Sequence, residues 1–243
     1  MSWHVMVLPA IQDDGTSLCE SVKSIAELER LRELDPWAFE ANWNQRPPVK
    51  GSALFEQEPA RFKLADVNYD GLRLIIGCDP AASEKDAADY SVAACIGVRG
   101  IGHTAEGYLL DLVRGHFAVP DFCDRVIAMQ KKWKGARVIV EGVSGFKSIK
   151  QLINRIAPSM RVTEITPMLD KRRRAQPLAA AWNAGRFKVP LEPRWVGVVL
   201  EEVMAFTGVG RGKKDIPDAL AHAWNALVLP APVRRSPLRL PFG

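Results

Sequence analysis

The order of β-rich and helical runs between residues 72 and 229 constrains this chain more than any other feature of its sequence. Three β-rich runs follow one another through short turns, and helical and β-rich runs then alternate. Adjacent strands with short turns favour an antiparallel meander, whereas a strand–helix–strand crossover adds parallel neighbours. The pattern therefore predicts an α/β fold with a mixed five-stranded sheet flanked by helices. The predicted strands span residues 72–79, 90–98, 107–114, 137–141 and 161–166.

The N-terminal part of the chain differs in charge and in hydrophobic pattern. Residues 1–70 are acidic and irregular, apart from a helix predicted from Ser24 to Leu34, where Glu27 stands at capping-box spacing from Ser24. The sequence thus predicts an N-terminal connector arm at 1–70, a patterned domain at 71–230 and a loose Pro/Arg-rich tail at 231–243. Further helices are predicted at residues 120–134, 144–156, 173–184, 195–206 and 215–229.

Two of the predicted strands end in an acidic residue. Asp79 ends the first strand and Glu141 ends the fourth, so both reach one edge of the sheet if these strands are neighbours. Asp215 and Asp218 share a face at the start of the last helix. Converging carboxylates repel one another unless hard divalent cations lie between them. We therefore predict two Mg²⁺ or Mn²⁺ ions, one activating a water and the other stabilising the leaving oxygen of a phosphodiester.

Each of these acids also has a purely structural interpretation. Asp79 precedes a proline and fits a turn, and Asp215 fits a helix N-cap with Asp218 in the favourable first turn. Asp89 is predicted as an accessory metal ligand, with a strand-start turn as the equal alternative. His222 lies one helical turn after Asp218 and could approach the metals, but a core histidine is the favoured interpretation because its surroundings are apolar. The joint position of the acids on this strand order favours metal binding.

Positive charge is concentrated after residue 70. Residues 1–70 hold 7 Lys and Arg against 12 Asp and Glu, whereas residues 71–243 hold 26 against 16. A basic region of this kind can bind DNA, since each neutralised phosphate releases counterions. We expect contacts to the DNA backbone without base recognition. The predicted DNA-binding residues are Lys147, Lys171, Arg172, Arg173, Arg174, Arg211, Lys213 and Lys214.

Other features argue against several classes of protein. The four cysteines show no Cys-x-x-Cys pairing, which disfavours a disulfide framework or zinc knot and predicts a reducing cytoplasm. No apolar run approaches the roughly 18–20 residues of a membrane span, so no membrane partner is expected. The glycine-rich run 208–214 has the wrong spacing for a phosphate-binding P-loop and lacks Ser or Thr after its lysine.

Several motifs, taken in their order along the chain, resemble the nuclease half of phage terminase large subunits. The resemblance spans about residues 3–229 and implies an RNase H-like fold with Asp79, Glu141 and Asp215 as catalytic residues. Lys214 departs from the paired acids that family members often carry before the last helix, which leaves Asp215 as the preferred third ligand and Asp218 as an alternate or fourth. The matching motifs are residues 76–81, 89–92, 141–145, 171–174, 185–190 and 215–221, preceded by a connector at 39–55.

The same resemblance implies a metal-dependent endonuclease that cuts concatemeric viral DNA during genome packaging in the host cytoplasm. Its implied partners are double-stranded DNA, a packaging ATPase, a small terminase subunit and a portal. Because no nucleotide-binding loop is found, we expect the ATPase on another polypeptide or in a missing part of a longer one. We expect it to dock on the connector through Phe39, Trp43 and Phe55.

Two other interpretations stay open at this point. A Holliday-junction resolvase-like nuclease has a similar spacing of acids, but the connector favours a terminase. A catalytically silent DNA-binding packaging module would retain the fold without the chemistry, but the acids at positions 79, 141 and 215 argue against it.

Overall fold

The computed structural model of the chain describes residues 6–34, 36–45, 53–81, 90–142, 147–208 and 215–229. Within these ranges no helix is long and apolar enough to cross a membrane. The strands are β1 (Ala60–Phe62), β2 (Arg73–Asp79), β3 (Ser91–Arg99), β4 (Glu106–Gly115), β5 (Arg137–Glu141), β6 (Val162–Ile165) and β7 (Phe187–Pro190). The helices are α1 (Ile25–Leu34), α2 (Pro36–Asn42), α3 (Val119–Lys132), α4 (Lys147–Ile156), α5 (Lys171–Asn183), α6 (Val196–Met204) and α7 (Asp215–Val228).

The strands form one mixed sheet in the order β1-β7-β4-β3-β2-β5-β6. Strands β2, β3 and β4 make the predicted antiparallel meander, while β5 runs parallel to β2 and β6 runs parallel to β5. The predicted mixed sheet flanked by helices is confirmed. The predicted number of five strands is wrong, because β7 pairs with β4 and β1 pairs with β7. Both added strands are short and lack a sustained alternating pattern, so they depend on pairing with their neighbours.

Helices cover both faces of the sheet and bury two apolar clusters. Helices α5, α6 and α7 pack on one face, with Trp182 and Trp224 among the buried side chains. Helix α3 and helix α4 pack on the other face, around Phe122 and Ile149. Because side chains alternate along a strand, the odd-numbered residues of β2 and β5 face α7. The acid that ends each of these two strands therefore lies on the α7 side.

Part of the predicted N-terminal arm belongs to this core. Phe55 is buried edge-to-face against Trp182, with ring centroids 5.4 Å apart. The backbone N–H of Leu54 donates to the carbonyl of Phe206 at 3.0 Å, and the indole of Trp182 donates to the carbonyl of Gln57 at 2.8 Å. The core thus begins before the predicted boundary at residue 70.

The aromatic residues predicted to form a docking surface are only partly accessible. Phe39 and Phe55 are each 1% exposed, whereas Trp43 is 36% exposed and stacks on Phe39 with a centroid distance of 6.4 Å. The prediction of a three-residue surface is therefore wrong for Phe39 and Phe55. The segment around Phe39 forms α2, which the sequence did not indicate and which directs that ring inward.

Candidate active site

Helix α7 lies against β2 at Gly77, and this close approach fixes the position of its acidic first turn. A Cβ atom on Gly77 would lie only 2.2 Å from the backbone carbonyl oxygen of Ala219. A glycine in a strand interior commonly marks such an approach of another backbone. Asp79 lies two residues after Gly77 on the same face of β2, and Asp218 directly precedes Ala219. The contact therefore brings the end of β2 to the start of α7.

Strand pairing adds a carboxylate from β5 to the same edge. The parallel register of β2 and β5 ends with Cys78 opposite Val140, so Asp79 and Glu141 follow at neighbouring positions. Asp215 lies in the first turn of α7 and is buried. The structure thus brings together the four predicted acids 79, 141, 215 and 218.

Asp79 is buried among the other three acids, and its pKa responds to both conditions. Burial raises the pKa of Asp79 well above its usual value, and the negative charges of Asp218, Glu141 and Asp215 raise it further, opposed by Lys171. A buried carboxylate with three like charges nearby favours its protonated form unless a cation joins it. The arrangement is a site for positive charge.

Two cations of α5 supply part of that charge in the structure. Asp218 is 1% exposed and lies between Lys171, whose ammonium donates to one carboxylate oxygen, and Arg174, whose Nη2 lies 2.9 Å from the other. Burial alone would lower the pKa of Lys171, but the charge and hydrogen bond of Asp218 outweigh it and the pKa is raised. These two basic residues, predicted to bind DNA, face the acidic site.

Glu141 has a histidine partner. Its Oε2 lies 2.7 Å from Nε2 of His222, and its Oε1 lies 3.8 Å from Nη1 of Arg174. Burial opposes ionisation of Glu141, but the hydrogen bond and charge of His222, with the charges of Arg174 and Lys171, leave its pKa below the usual value. His222 is buried, as a core histidine would be, yet it contacts a predicted ligand. The signal for this was its place one helical turn after Asp218.

Arg172 and Arg173, the other two basic residues predicted at the start of α5, differ in exposure. Arg172 is buried and donates to the backbone carbonyl of Thr207, whereas the Arg173 side chain is 66% exposed. Asp170 caps the start of α5 by accepting from the backbone N–H of Arg173 at 2.9 Å, so the helix begins two residues before its predicted start. Arg173 thus remains at the surface, where its Nε lies 3.6 Å from Oδ2 of Asp170. Asp89, Arg211, Lys213, Lys214 and the side chain of Lys147 lie outside the described residues.

The described carboxylates do not by themselves form a metal-binding group. Among the described residues, no three His, Cys, Asp or Glu side chains stand together in the geometry of a metal site. Asp218 contacts Lys171 and Arg174 of α5, and Glu141 contacts His222. The donor chemistry nevertheless suits a hard divalent cation, since the available donors are carboxylate oxygens. Burial and the charges of neighbouring acids raise the pKa of Asp79, which a bound cation would oppose.

Comparison with known protein families shows which family the chain belongs to. The sequence model of the family described as "Terminase RNaseH-like domain" matches residues 76–228, which is more than half of the chain. The chain belongs to this family. The match includes the end of β2 together with β5 and α7, and hence all four acids. No curated protein sequence matches the chain.

Solved terminase structures share the fold of this terminase RNaseH-like domain. The large terminase of a thermophilic bacteriophage, solved in complex with ADP, is 13% identical with a TM-score of 0.61, and the match covers 84% of this chain and 52% of that one. The large terminase nuclease domain of Thermus phage P74-26 is 20% identical with a TM-score of 0.50, covering 72% and 92%. The large terminase nuclease of thermophilic phage G20c with bound zinc is 19% identical with a TM-score of 0.50, covering 72% and 95%.

Proposed function

We propose that this chain is a metal-dependent DNA endonuclease that cuts concatemeric viral DNA during genome packaging. The observation that carries the proposal is the convergence of four carboxylates from β2, β5 and α7, with the pKa of Asp79 raised by burial and by the other three. Membership of the terminase RNaseH-like family supports a nuclease role in packaging.

The proposed cofactor is Mg²⁺ or Mn²⁺, with two ions bound. Asp79, Glu141 and Asp215 would hold them, and Asp218 is the alternate or fourth ligand. When bound, such ions provide a nucleophilic water at neutral pH and stabilise the leaving oxygen of the phosphodiester. The G20c nuclease was solved with bound zinc, which is consistent with a divalent cation in this fold.

Neighbouring side chains orient the proposed metal ligands and offset their negative charge. The hydrogen bond from His222 holds the Glu141 carboxylate in one orientation, as partners of metal ligands commonly do. Lys171 and Arg174 hold Asp218 and offset its charge, which limits repulsion within the buried cluster. Asp218 is therefore fixed by the protein itself, whereas Asp79 depends on added positive charge.

DNA is proposed to approach along the exposed side of α5. The Arg173 side chain is 66% exposed, and its Nε lies 3.6 Å from Oδ2 of the exposed Asp170, a pair that a phosphate could replace. The Lys171 side chain is 38% exposed at the rim of the acidic site. The packaging ATPase, the small terminase subunit and the portal are proposed as further partners. Since the chain matches about half of the phage terminase that was solved with ADP, we propose that the ATPase lies in another part of a longer polypeptide or on another chain.

The decisive experiment is cleavage of supercoiled plasmid with Mn²⁺, Mg²⁺ or a chelator. Cleavage should require the metal, and Asp79→Asn, Glu141→Gln and Asp215→Asn should each lower the rate by at least about 100-fold because each removes a charged ligand. Wild-type rates in these variants, or full activity in the chelator, would refute the proposal.

A matched control separates loss of a ligand from loss of charge. Asp124 is an exposed acid on α3, on the opposite face of the sheet, and Asp124→Asn should retain the wild-type cleavage rate. Metal binding without any cleavage, together with retained DNA binding, would instead indicate a catalytically silent packaging module.

A further inference from the structure

Glu202 is a buried acid of α6 that lies outside the four-carboxylate cluster, yet it contacts the helix that carries Asp215. It is 4% exposed, and its Oε1 accepts a hydrogen bond from the backbone N–H of Ile216 at 2.8 Å. The amides of a first helical turn have no partner within their own helix. Glu202 therefore caps α7 from a neighbouring helix, and its negative charge suits the positive end of the helix dipole.

Arg114 of β4 balances the charge of Glu202. Its Nη2 lies 3.1 Å from Oε2 of Glu202, and both side chains are largely buried. The two atoms lie within the distance of an ion pair, without the alignment of a hydrogen bond. A buried carboxylate without such a partner would be strongly disfavoured.

Tyr90 connects Arg114 to Asp215. The Arg114 guanidinium lies over the Tyr90 ring at 3.5 Å, and the ring also packs on His116 with centroids 4.1 Å apart. The backbone N–H of Tyr90 donates to Oδ2 of Asp215 at 3.0 Å. These contacts form a closed ring. Glu202 contacts the first turn of α7, Asp215 in that turn contacts Tyr90, Tyr90 contacts Arg114, and Arg114 contacts Glu202.

We propose that Glu202 is a positioning residue that holds the first turn of α7 so that Asp215 presents its carboxylate to the catalytic cation. Arg114 and Tyr90 complete the support from the other side of Asp215. The inference rests on the proposed function for the identity of the group that Asp215 binds. The support of α7 by Glu202 is a separate claim that can be measured without metal.

The first test is hydrogen–deuterium exchange of the metal-free protein over residues 215–222. Glu202→Ala should accelerate exchange of the first α7 turn by about tenfold, the effect of losing a helix cap. Glu202→Gln keeps an acceptor for the Ile216 amide and should stay within about threefold of wild type. Glu201→Ala, at an exposed acid on the same helix, is the control and should leave exchange unchanged. Unaltered exchange in Glu202→Ala would overturn the inference.

The second test is the concentration of Mn²⁺ that raises the melting temperature half-maximally. Glu202→Ala should need about tenfold more Mn²⁺, with substantial rescue in Glu202→Gln, because a displaced Asp215 binds the cation less well. A purely structural ion pair would lower the melting temperature without changing this midpoint, and that result would overturn the link to Asp215. Absence of any Mn²⁺ response in the wild type would refute the proposed function and leave the exchange result standing.

A second variant keeps the inference falsifiable if Glu202→Ala does not fold. Tyr90→Leu removes the ring under Arg114 but retains the backbone N–H that donates to Asp215. It should accelerate exchange at the start of α7 and weaken the Mn²⁺ response in the same direction. Wild-type values for both measurements in Tyr90→Leu would then refute the proposed support of Asp215 by these contacts.

Discussion

Replacement of Gly77 by alanine tests whether the contact between β2 and α7 sets the geometry of the candidate active site. The added Cβ atom would lie 2.2 Å from the carbonyl oxygen of Ala219 and 3.0 Å from the Cβ atom of Ala223. The closer atom belongs to the backbone and cannot rotate away, so the helix itself must move. Ordinary contact begins at 3.4 Å, which requires α7 to shift by about 1 Å.

The expected loss of stability and the expected loss of cleavage rate can both be estimated from this contact. Overpacking a core costs about 1–3 kcal/mol. For a chain of this length, that corresponds to a decrease in melting temperature of about 2–12 °C. The shift also displaces Asp215 and Asp218 relative to Asp79, and a misplacement of about 1 Å can lower a catalytic rate by about 100-fold. Gly77→Ala should therefore lose activity well beyond its loss of stability.

The assays are thermal unfolding by circular dichroism and metal-dependent plasmid cleavage, carried out below the melting temperature of every variant. Gly197→Ala in α6 is the matched control, since a Cβ atom there meets nothing within 4 Å and alanine suits a helix. It should not lower the melting temperature. A Gly77→Ala protein with the stability and cleavage rate of wild type would refute the argument from close approach.

Two further predictions concern charge. The pKa of Asp79 is raised above its ordinary value of 3.8, so its contribution to stability is lost as the pH rises from that value through the folded pKa. The melting temperature of metal-free Asp79→Asn relative to wild type should therefore increase as the pH rises, and a constant difference would contradict this. If Arg173 binds a phosphate, Arg173→Ala should lower the salt dependence of duplex binding by about 0.9 in log–log slope, as measured by fluorescence anisotropy. An unchanged slope would show that Arg173 does not contact DNA phosphates.

The central strands of the sheet could be predicted from the sequence, because the local hydrophobic pattern favours the same strands that the tertiary contacts stabilise. The strands ending at Asp79 and Glu141 are buried β-rich runs, and their pairing follows from the rules for meanders and crossovers. Helix α1 was likewise confirmed, with Ser24 and Glu27 making reciprocal capping contacts. Strands β1 and β7 were missed because they are held by partners that are distant in sequence.

The residue types of the candidate site could be predicted, but their partners could not. The sequence alone determined which carboxylates stand at strand and helix ends, because periodicity and strand order fix that placement. Only the tertiary structure decided that Lys171 and Arg174 turn toward Asp218, that His222 contacts Glu141, and that Phe39 is buried. A local pattern shows which face of an element a side chain occupies, whereas the neighbour it meets depends on how elements distant in sequence pack together.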